Sequence, residues 1–130
     1  RIKIKLSQNK KNLFIKGNEN QLEQLFDNLI DNSIKYGKYK SKLNINIKLG
    51  KKRDMLSVKI IDESKGIPKQ FLQRITERFY RLEETKKIEG TGLGLSIAKH
   101  IAAKHNAKFN ISSIRNKGST FEIIFPYIST

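Results

Sequence analysis

Glu19-Asn20-Gln21-Leu22-Glu23-Gln24-Leu25-Phe26-Asp27-Asn28-Leu29-Ile30-Asp31-Asn32-Ser33-Ile34-Lys35-Tyr36 is the stretch on which the fold turns. At about 100° per residue, Leu22, Leu25, Phe26, Leu29, Ile30 and Ser33 fall on one stripe of a helix, the face that seeks a core. Asn18 or Glu19 is placed to open this helix, and Gly37 stands where a helix-ending glycine belongs. Gln24, Asn28, Asp31, Asn32 and Lys35 share an adjoining polar stripe. Asn28 and Asn32 lie one turn apart, and Lys35 lies one turn from Asp31 and Asn32. Asparagine prefers caps and turns, so two stacked in mid-helix call for a reason. Amide oxygens suit a hard cation that also takes phosphate oxygens, and Lys35 would add charge to the same phosphates. A plainly solvated polar face is the competing reading.

Strands flank this helix. Ile2, Ile4 and Leu6 alternate with lysines, and Leu13–Lys16 reads as a second short strand. Leu43, Ile45, Ile47 and Leu49 alternate, as do Leu56, Val58 and Ile60, with Gly50–Asp54 as a turn between them, so 43–62 reads as a hairpin. Pro68 fits the first position of a short helix running to about Ile75. Thr76–Gly90 lacks periodicity and reads as a loop. Gly92–His105 reads as a helix, and Lys108–Ile114 and Thr120–Phe125 as closing strands around Asn116-Lys117-Gly118. No repeat or linker interrupts the chain, and one domain with a sheet against helices follows.

The 130 residues suit a single domain, and the 37% hydrophobic fraction suits a real core. No apolar run approaches the roughly 20 residues of a membrane span. The chain opens on Arg1 without a leader pattern and reads as a segment of a longer protein. Zero cysteines exclude disulfides, thiolate metal sites and a cysteine nucleophile. The formal charge of +15 points first at nucleic acid or an anionic surface. Yet 21 of the 27 basic residues are lysines, spread evenly with no basic tail, which favours a solvated lysine-rich surface.

Two further clusters could carry chemistry. Asp62 leaves an apolar strand into Glu63-Ser64-Lys65-Gly66-Ile67, where a carboxylate can accept from an exocyclic amine and Gly66 allows close backbone approach or a positive φ. Gly90-Thr91-Gly92-Leu93-Gly94-Leu95 opens a helix, so backbone N–H groups and the helix terminus can face an anion. Its G-x-G-x-G spacing is neither the dinucleotide fingerprint nor the P-loop.

Together these segments resemble the ATP-binding catalytic domain of bacterial sensor histidine kinases, within the gyrase/Hsp90/histidine-kinase/MutL ATPase superfamily (GHKL). Gln21–Tyr36 is similar to that family's N box, Asp62–Ile67 to its G1 box, Glu77–Leu82 to its F box and Gly90–Lys99 to its G2 box. Gly118-Ser119-Thr120-Phe121 resembles its terminal strand motif. The match spans about residues 2–126 in family order, and its wording is nearest the PhoR-like group.

The resemblance implies an α/β (α+β) two-layer sandwich, the Bergerat fold: a mixed sheet of about five strands covered on one face by three helices, with an ATP lid at about 76–90. It implies ATP and Mg²⁺ as ligands. Asn28 would hold the metal with Asn32 beside it, Lys35 and Arg81 would meet phosphate, and Tyr36 would pack on adenine. Asp62 would accept the adenine amine, directly and through a water shared with Thr120. Gly66, Ile67, Phe79, Gly90, Thr91, Gly92, Leu93, Gly94 and Leu95 would complete the nucleotide site. The hydrolysing branches carry a glutamate one turn before the metal-binding Asn. Here that place is Gln24, an amide that is no base, which favours phosphoryl transfer to a protein over hydrolysis. Ser64 departs from the usual Asp-x-Gly-x-Gly of the G1 box. If its position requires a positive φ, it costs about 1 kcal/mol or more and lowers nucleotide affinity.

The acceptor histidine such an enzyme needs is absent, since His100 and His105 lack the acceptor motif and read as structural or surface residues. The resemblance therefore implies a separate helical phosphoacceptor domain, in the same or a partner protomer of a homodimeric parent, and a response regulator receiver domain downstream. It places this domain in the cytoplasm, without membrane insertion of its own, on a parent anchored in the bacterial inner membrane. Competing readings keep the fold as a serine (anti-sigma) kinase or as a catalytically weak nucleotide sensor. The last is a basic nucleic-acid-binding domain, for which no helix-turn-helix, zinc finger or aromatic motif is present.

Overall fold

The computed structural model describes residues 3–8, 13–37, 41–52, 54–67, 69–72, 74–77 and 94–127. Its elements are β1 (Lys3–Gln8), α1 (Glu19–Tyr36), β2 (Lys42–Leu49), β3 (Met55–Ile61), α2 (Gly94–Lys104), β4 (Lys108–Ile114) and β5 (Gly118–Pro126), with one 3₁₀ turn at Lys69–Phe71. The five strands form one sheet in the order β1-β2-β3-β5-β4. Only β1 and β2 run parallel, and α1 is the crossover between them, which is the kind of connection a parallel pair requires. The other three pairs are antiparallel, and they set Ile61 opposite Thr120 and Ser112 opposite Thr120 on its other side.

Both helices lie on one face. Leu25 and Leu29 from α1 and Ala98, Ile101 and Ala102 from α2 are buried against Leu43, Leu49, Leu56, Val58, Ile60, Phe121, Ile123 and Phe125 of the sheet. Leu22, Phe26 and Ile30 pack at the edge of this core, with the rings of Phe26 and Phe125 6.1 Å apart. The predicted apolar stripe of α1 is thus the buried one. The other sheet face is polar: Lys42, Lys48, Lys59 and Lys108 are exposed there, and Glu122 accepts from Ser57 Oγ at 2.7 Å. Much of the lysine excess is therefore solvated surface, as the even spread implied.

The helix ends follow local chemistry. Asn18 caps α1, its side chain accepting the Gln21 N–H at 2.9 Å. Asn106, at φ 56°, ends α2 in a Schellman turn closed by Ala107 N–H to Ala102 O at 2.9 Å and Asn106 N–H to Ala103 O at 3.1 Å. His105 fastens the two helices: its Nδ1 faces Ile101 O at 2.8 Å, and its Nε2 accepts the Asn18 N–H at 3.0 Å. Accepting at Nε2 places the ring proton on Nδ1. Gly17 leaves room for this ring, since a Cβ there would stand 2.5 Å from His105 Cδ2. His100 is exposed. The structural reading of His105 therefore holds.

Several expectations are corrected. Leu13–Lys16 is not a strand; Leu13 and Ile15 face the core and Phe14 faces solvent, and among the described residues no strand pairs with it. Gly37 follows α1 but is extended (φ −69°, ψ 151°) and bridges Ser64, so it is not a left-handed cap. Of the helix expected from Pro68 to Ile75, the described residues show the 3₁₀ turn at Lys69–Phe71, with Pro68 and Gln73 outside the description, and they place two α-helices on the covering face. The α2 helix is described from Gly94, and its expected start at Gly92 lies outside the described residues.

Candidate nucleotide site

The site is built around Asp62, which leaves β3 beneath the C-terminal half of α1 and is 5% exposed. Its Oδ1 accepts the N–H of Ser64 and the N–H of Ser119, both at 3.0 Å. Its Oδ2 accepts the Ser33 hydroxyl at 3.0 Å. A carboxylate oxygen has two lone-pair sites, so Oδ1 is filled and Oδ2 has one left. The Asp62 N–H donates to Ser119 O at 2.9 Å, which ties the carboxylate's own backbone to β5. The result is a nearly buried acceptor held by three donors, with one Oδ2 lone pair not taken by any described residue.

The turn after Asp62 is held on every side. Gly66 is left-handed (φ 77°), and a Cβ there would stand 2.5 Å from Ile114 O, so the predicted need for glycine is real. Ser64 is not among the positive-φ residues, which corrects the expected strain. It is buried, and its hydroxyl accepts the Gly66 N–H at 3.1 Å, so serine closes this turn rather than straining it. Glu63 Oε1 accepts the Lys42 N–H at 2.6 Å, and Ile67 N–H donates to Ser113 Oγ at 2.6 Å.

The polar stripe of α1 divides in two. Gln24, Asp31 and Lys35 are exposed, whereas Asn28 and Asn32 are half-buried. Asn28 Nδ2 is buried without a hydrogen-bond partner, and Asn28 Cβ is the nearest atom to a Cβ built on Gly94, 3.9 Å away. A buried donor without a partner calls for an explanation, and it lies beside the first residue of α2. Amide oxygen and nitrogen exchange by rotation, so either can face it. Leu95 packs on the core behind Gly94.

The remaining expected residues are distributed as follows. Thr120 lies on β5 between Ile61 and Ser112, but strand alternation puts it with Glu122 on the open sheet face. Ser119 occupies the Asp62 side and is 4% exposed, so it and not Thr120 adjoins the carboxylate. Tyr36 ends α1, its side chain outside the description. Phe79, Arg81, Gly90, Thr91, Gly92 and Leu93, with most of the lid and F box, lie outside the described residues. Ser33, Ser113 and Ser119 are the site residues that sequence reasoning missed. A serine on the apolar stripe of α1 was the one available signal, because a buried hydroxyl needs a partner.

The described residues form a two-layer α+β domain with a buried carboxylate at a strand end and an unpaired amide nitrogen near the start of α2. The chain belongs to the histidine kinase-, DNA gyrase B- and HSP90-like ATPase family, whose model matches residues 17–129. It is 33% identical over 119 residues to the sensor histidine kinase WalK of Bacillus subtilis (strain 168), covering 90% of this chain and 20% of WalK. The chain thus spans about a fifth of that relative's length. Among solved structures, the mycobacterial sensor histidine kinase MprB superposes with a TM-score of 0.85 at 22% identity, over 99% of this chain and 84% of that one. Full-length ShkA in complex with AMPPNP gives 0.85 at 19% identity, over 99% of this chain and 26% of that one. These two likenesses show the fold, which is the mixed five-stranded, helix-covered sandwich expected.

Proposed function

We propose that this domain binds Mg·ATP and passes the γ-phosphoryl group to a histidine nitrogen on a separate helical domain of a two-component sensor kinase. The observation that carries the reading is Asp62, a buried acceptor with one lone pair that no described residue takes, which matches an exocyclic amine such as that of adenine. Family membership and the AMPPNP bound to ShkA support the choice of nucleotide. Asn28 fits the metal-facing role because its amide nitrogen is buried and unpaired, and rotation of the amide can bring the oxygen to the same place. Asn32 stands one turn away, and Lys35, with Arg81, would offset phosphate charge. The metal, when bound, supplies charge neutralisation between the phosphates.

The work of the domain is positioning. The γ-phosphorus–oxygen bond breaks as the nitrogen–phosphorus bond forms, and ADP leaves with the bonding electrons. Gln24 is exposed and carries no basic group, which agrees with transfer rather than hydrolysis. The phosphohistidine then serves an aspartate on a response regulator. The domain works in the cytoplasm, on a homodimeric parent anchored in the inner membrane; among the described residues no helix is long and apolar enough to cross a membrane. The weak-sensor reading loses its motive, because Ser64 is unstrained.

Calorimetric titration of the 130-residue chain with Mg·ATP tests this reading. Saturable binding is expected, reduced at least about tenfold in Asn28→Ala, whose thermal midpoint stays within a few degrees because an unpaired amide contributes little to folding. Absence of saturable binding, or binding unchanged by Asn28→Ala, refutes it.

A further inference from the structure

Resting on that reading, we propose that Ser113 is a positioning residue for base recognition: its hydroxyl holds the Asp62–Ile67 turn against the β4–β5 hairpin and so fixes the purine-facing carboxylate. Ser113 lies near the end of β4, 51 residues beyond Asp62 in the chain, and belongs to none of the boxes the sequence displays.

Three partners surround its Oγ. Ile67 N–H donates to it at 2.6 Å, it reaches Gly118 O at 3.0 Å, and Ser119 Oγ is 3.0 Å away. A hydroxyl offers one donor and two acceptor sites. Only one assignment satisfies all three contacts: Ser113 donates to Gly118 O and accepts from Ile67 N–H and from the Ser119 hydroxyl. Its capacity is then full, with nothing spare for a ligand. Its function must therefore be exerted through the groups it holds.

Those groups converge on Asp62. Ser119, bonded through its hydroxyl to Ser113, gives its N–H to Asp62 Oδ1 and accepts the Asp62 N–H at its carbonyl. Gly118, bonded through its carbonyl, is left-handed (φ 146°) and packs directly on the Asp62 carbonyl oxygen. Ile67, bonded through its N–H, ends the turn that Asp62 begins. A second clamp joins the same two segments, Asn116 N–H to Lys65 O at 2.6 Å. One hydroxyl thus links both ends of the turn to the strand that aims its carboxylate. Geometry at a recognition site must hold to within about half an ångström, and such supporting bonds provide that precision.

The test compares Mg·ATP and Mg·GTP binding to the wild-type chain and to Ser113→Ala and Ser113→Thr. Guanine carries an oxygen where adenine carries its amine, so the ATP:GTP preference reads the Asp62 contact itself. Ser113→Ala is expected to weaken ATP about tenfold while leaving GTP nearly unchanged, because the unpaired Ile67 N–H frees the turn. Ser113→Thr, which keeps the oxygen, is expected to restore the preference. A purely structural role would lower the melting midpoint or weaken both nucleotides alike. An ATP:GTP preference in Ser113→Ala equal to wild type therefore overturns the proposal, whatever happens to stability. Should Ser113→Ala not fold, Ser113→Cys, a close replacement in size with a weak acceptor, carries the same comparison. Failure of the wild-type chain to bind Mg·ATP would instead defeat the functional reading on which the proposal stands.

Discussion

Replacing Asp62 by Asn separates its part in the fold from its part in recognition. The amide keeps one carbonyl oxygen, which can go on accepting from Ser64 N–H and Ser119 N–H, both now at 3.0 Å. Bonds to a charged acceptor are worth roughly 1 kcal/mol more than neutral ones, so the two together weaken by about 2 kcal/mol. The new NH₂ replaces Oδ2 and faces Ser33, whose hydroxyl can turn from donor to acceptor and keep that bond. Relief from burying a charge on a residue only 5% exposed returns part of the loss. The net cost is about 1–2 kcal/mol, a fall of roughly 4–8 °C in melting midpoint for a domain of this size. Recognition suffers more, because a donor now meets the ligand's donor. Mg·ATP affinity is expected to fall by at least about 100-fold. Scanning calorimetry and titration calorimetry read the two effects. Binding within about threefold of wild type would refute the acceptor role, and loss of a cooperative melt would refute the claim that Ser33 can reverse its bond.

Three further outcomes follow from the geometry. Gly66→Ala should cost about 2–4 kcal/mol in urea denaturation, from the positive φ and the 2.5 Å approach to Ile114 O, and should abolish nucleotide binding with it. Ser64→Gly, although it restores the commoner family residue, should lose about 1 kcal/mol and gain no affinity, since it deletes the acceptor for the Gly66 N–H; a gain in affinity would show that the serine was a defect. His105→Ala should cost about 1–3 kcal/mol and speed hydrogen exchange of the Asn18 amide, because the ring joins α2 to the start of α1.

Much of the architecture was legible because its signals are local. The α1 helix carries a cap, a periodic stripe and a clean end, β2 alternates strictly, and β3 to β5 alternate over most of their length. Leu13–Ile15 shows the limit of alternation: it reports which way side chains face, and it is satisfied equally by an irregular segment lying on a core. Gly37 shows another limit, since a glycine after a helix can serve a bridge instead of a left-handed cap. Asp62 and Gly66 were readable as a carboxylate and a hinge at a strand end. Ser33 and Ser119 were not, because they reach Asp62 across 29 and 57 residues and only the folded sheet brings them there. Ser119 rather than Thr120 faces Asp62, and in a strand one residue means the opposite face.

The pairing of Asp62 with Ser119 also has a consequence for how this chain tolerates change in length. The two central strands β3 and β5 are far apart in sequence, and the bonds at their ends close everything between them into a ring of 57 residues. Closure entropy grows only with the logarithm of ring size, so even doubling that ring would cost about 0.6 kcal/mol. Additional residues placed between Glu77 and Gly94 would therefore leave the sheet nearly as stable as before. The carboxylate proposed to read the base is at the same time the fastening that lets the chain between Glu77 and Gly94 vary in length at little cost to the sheet.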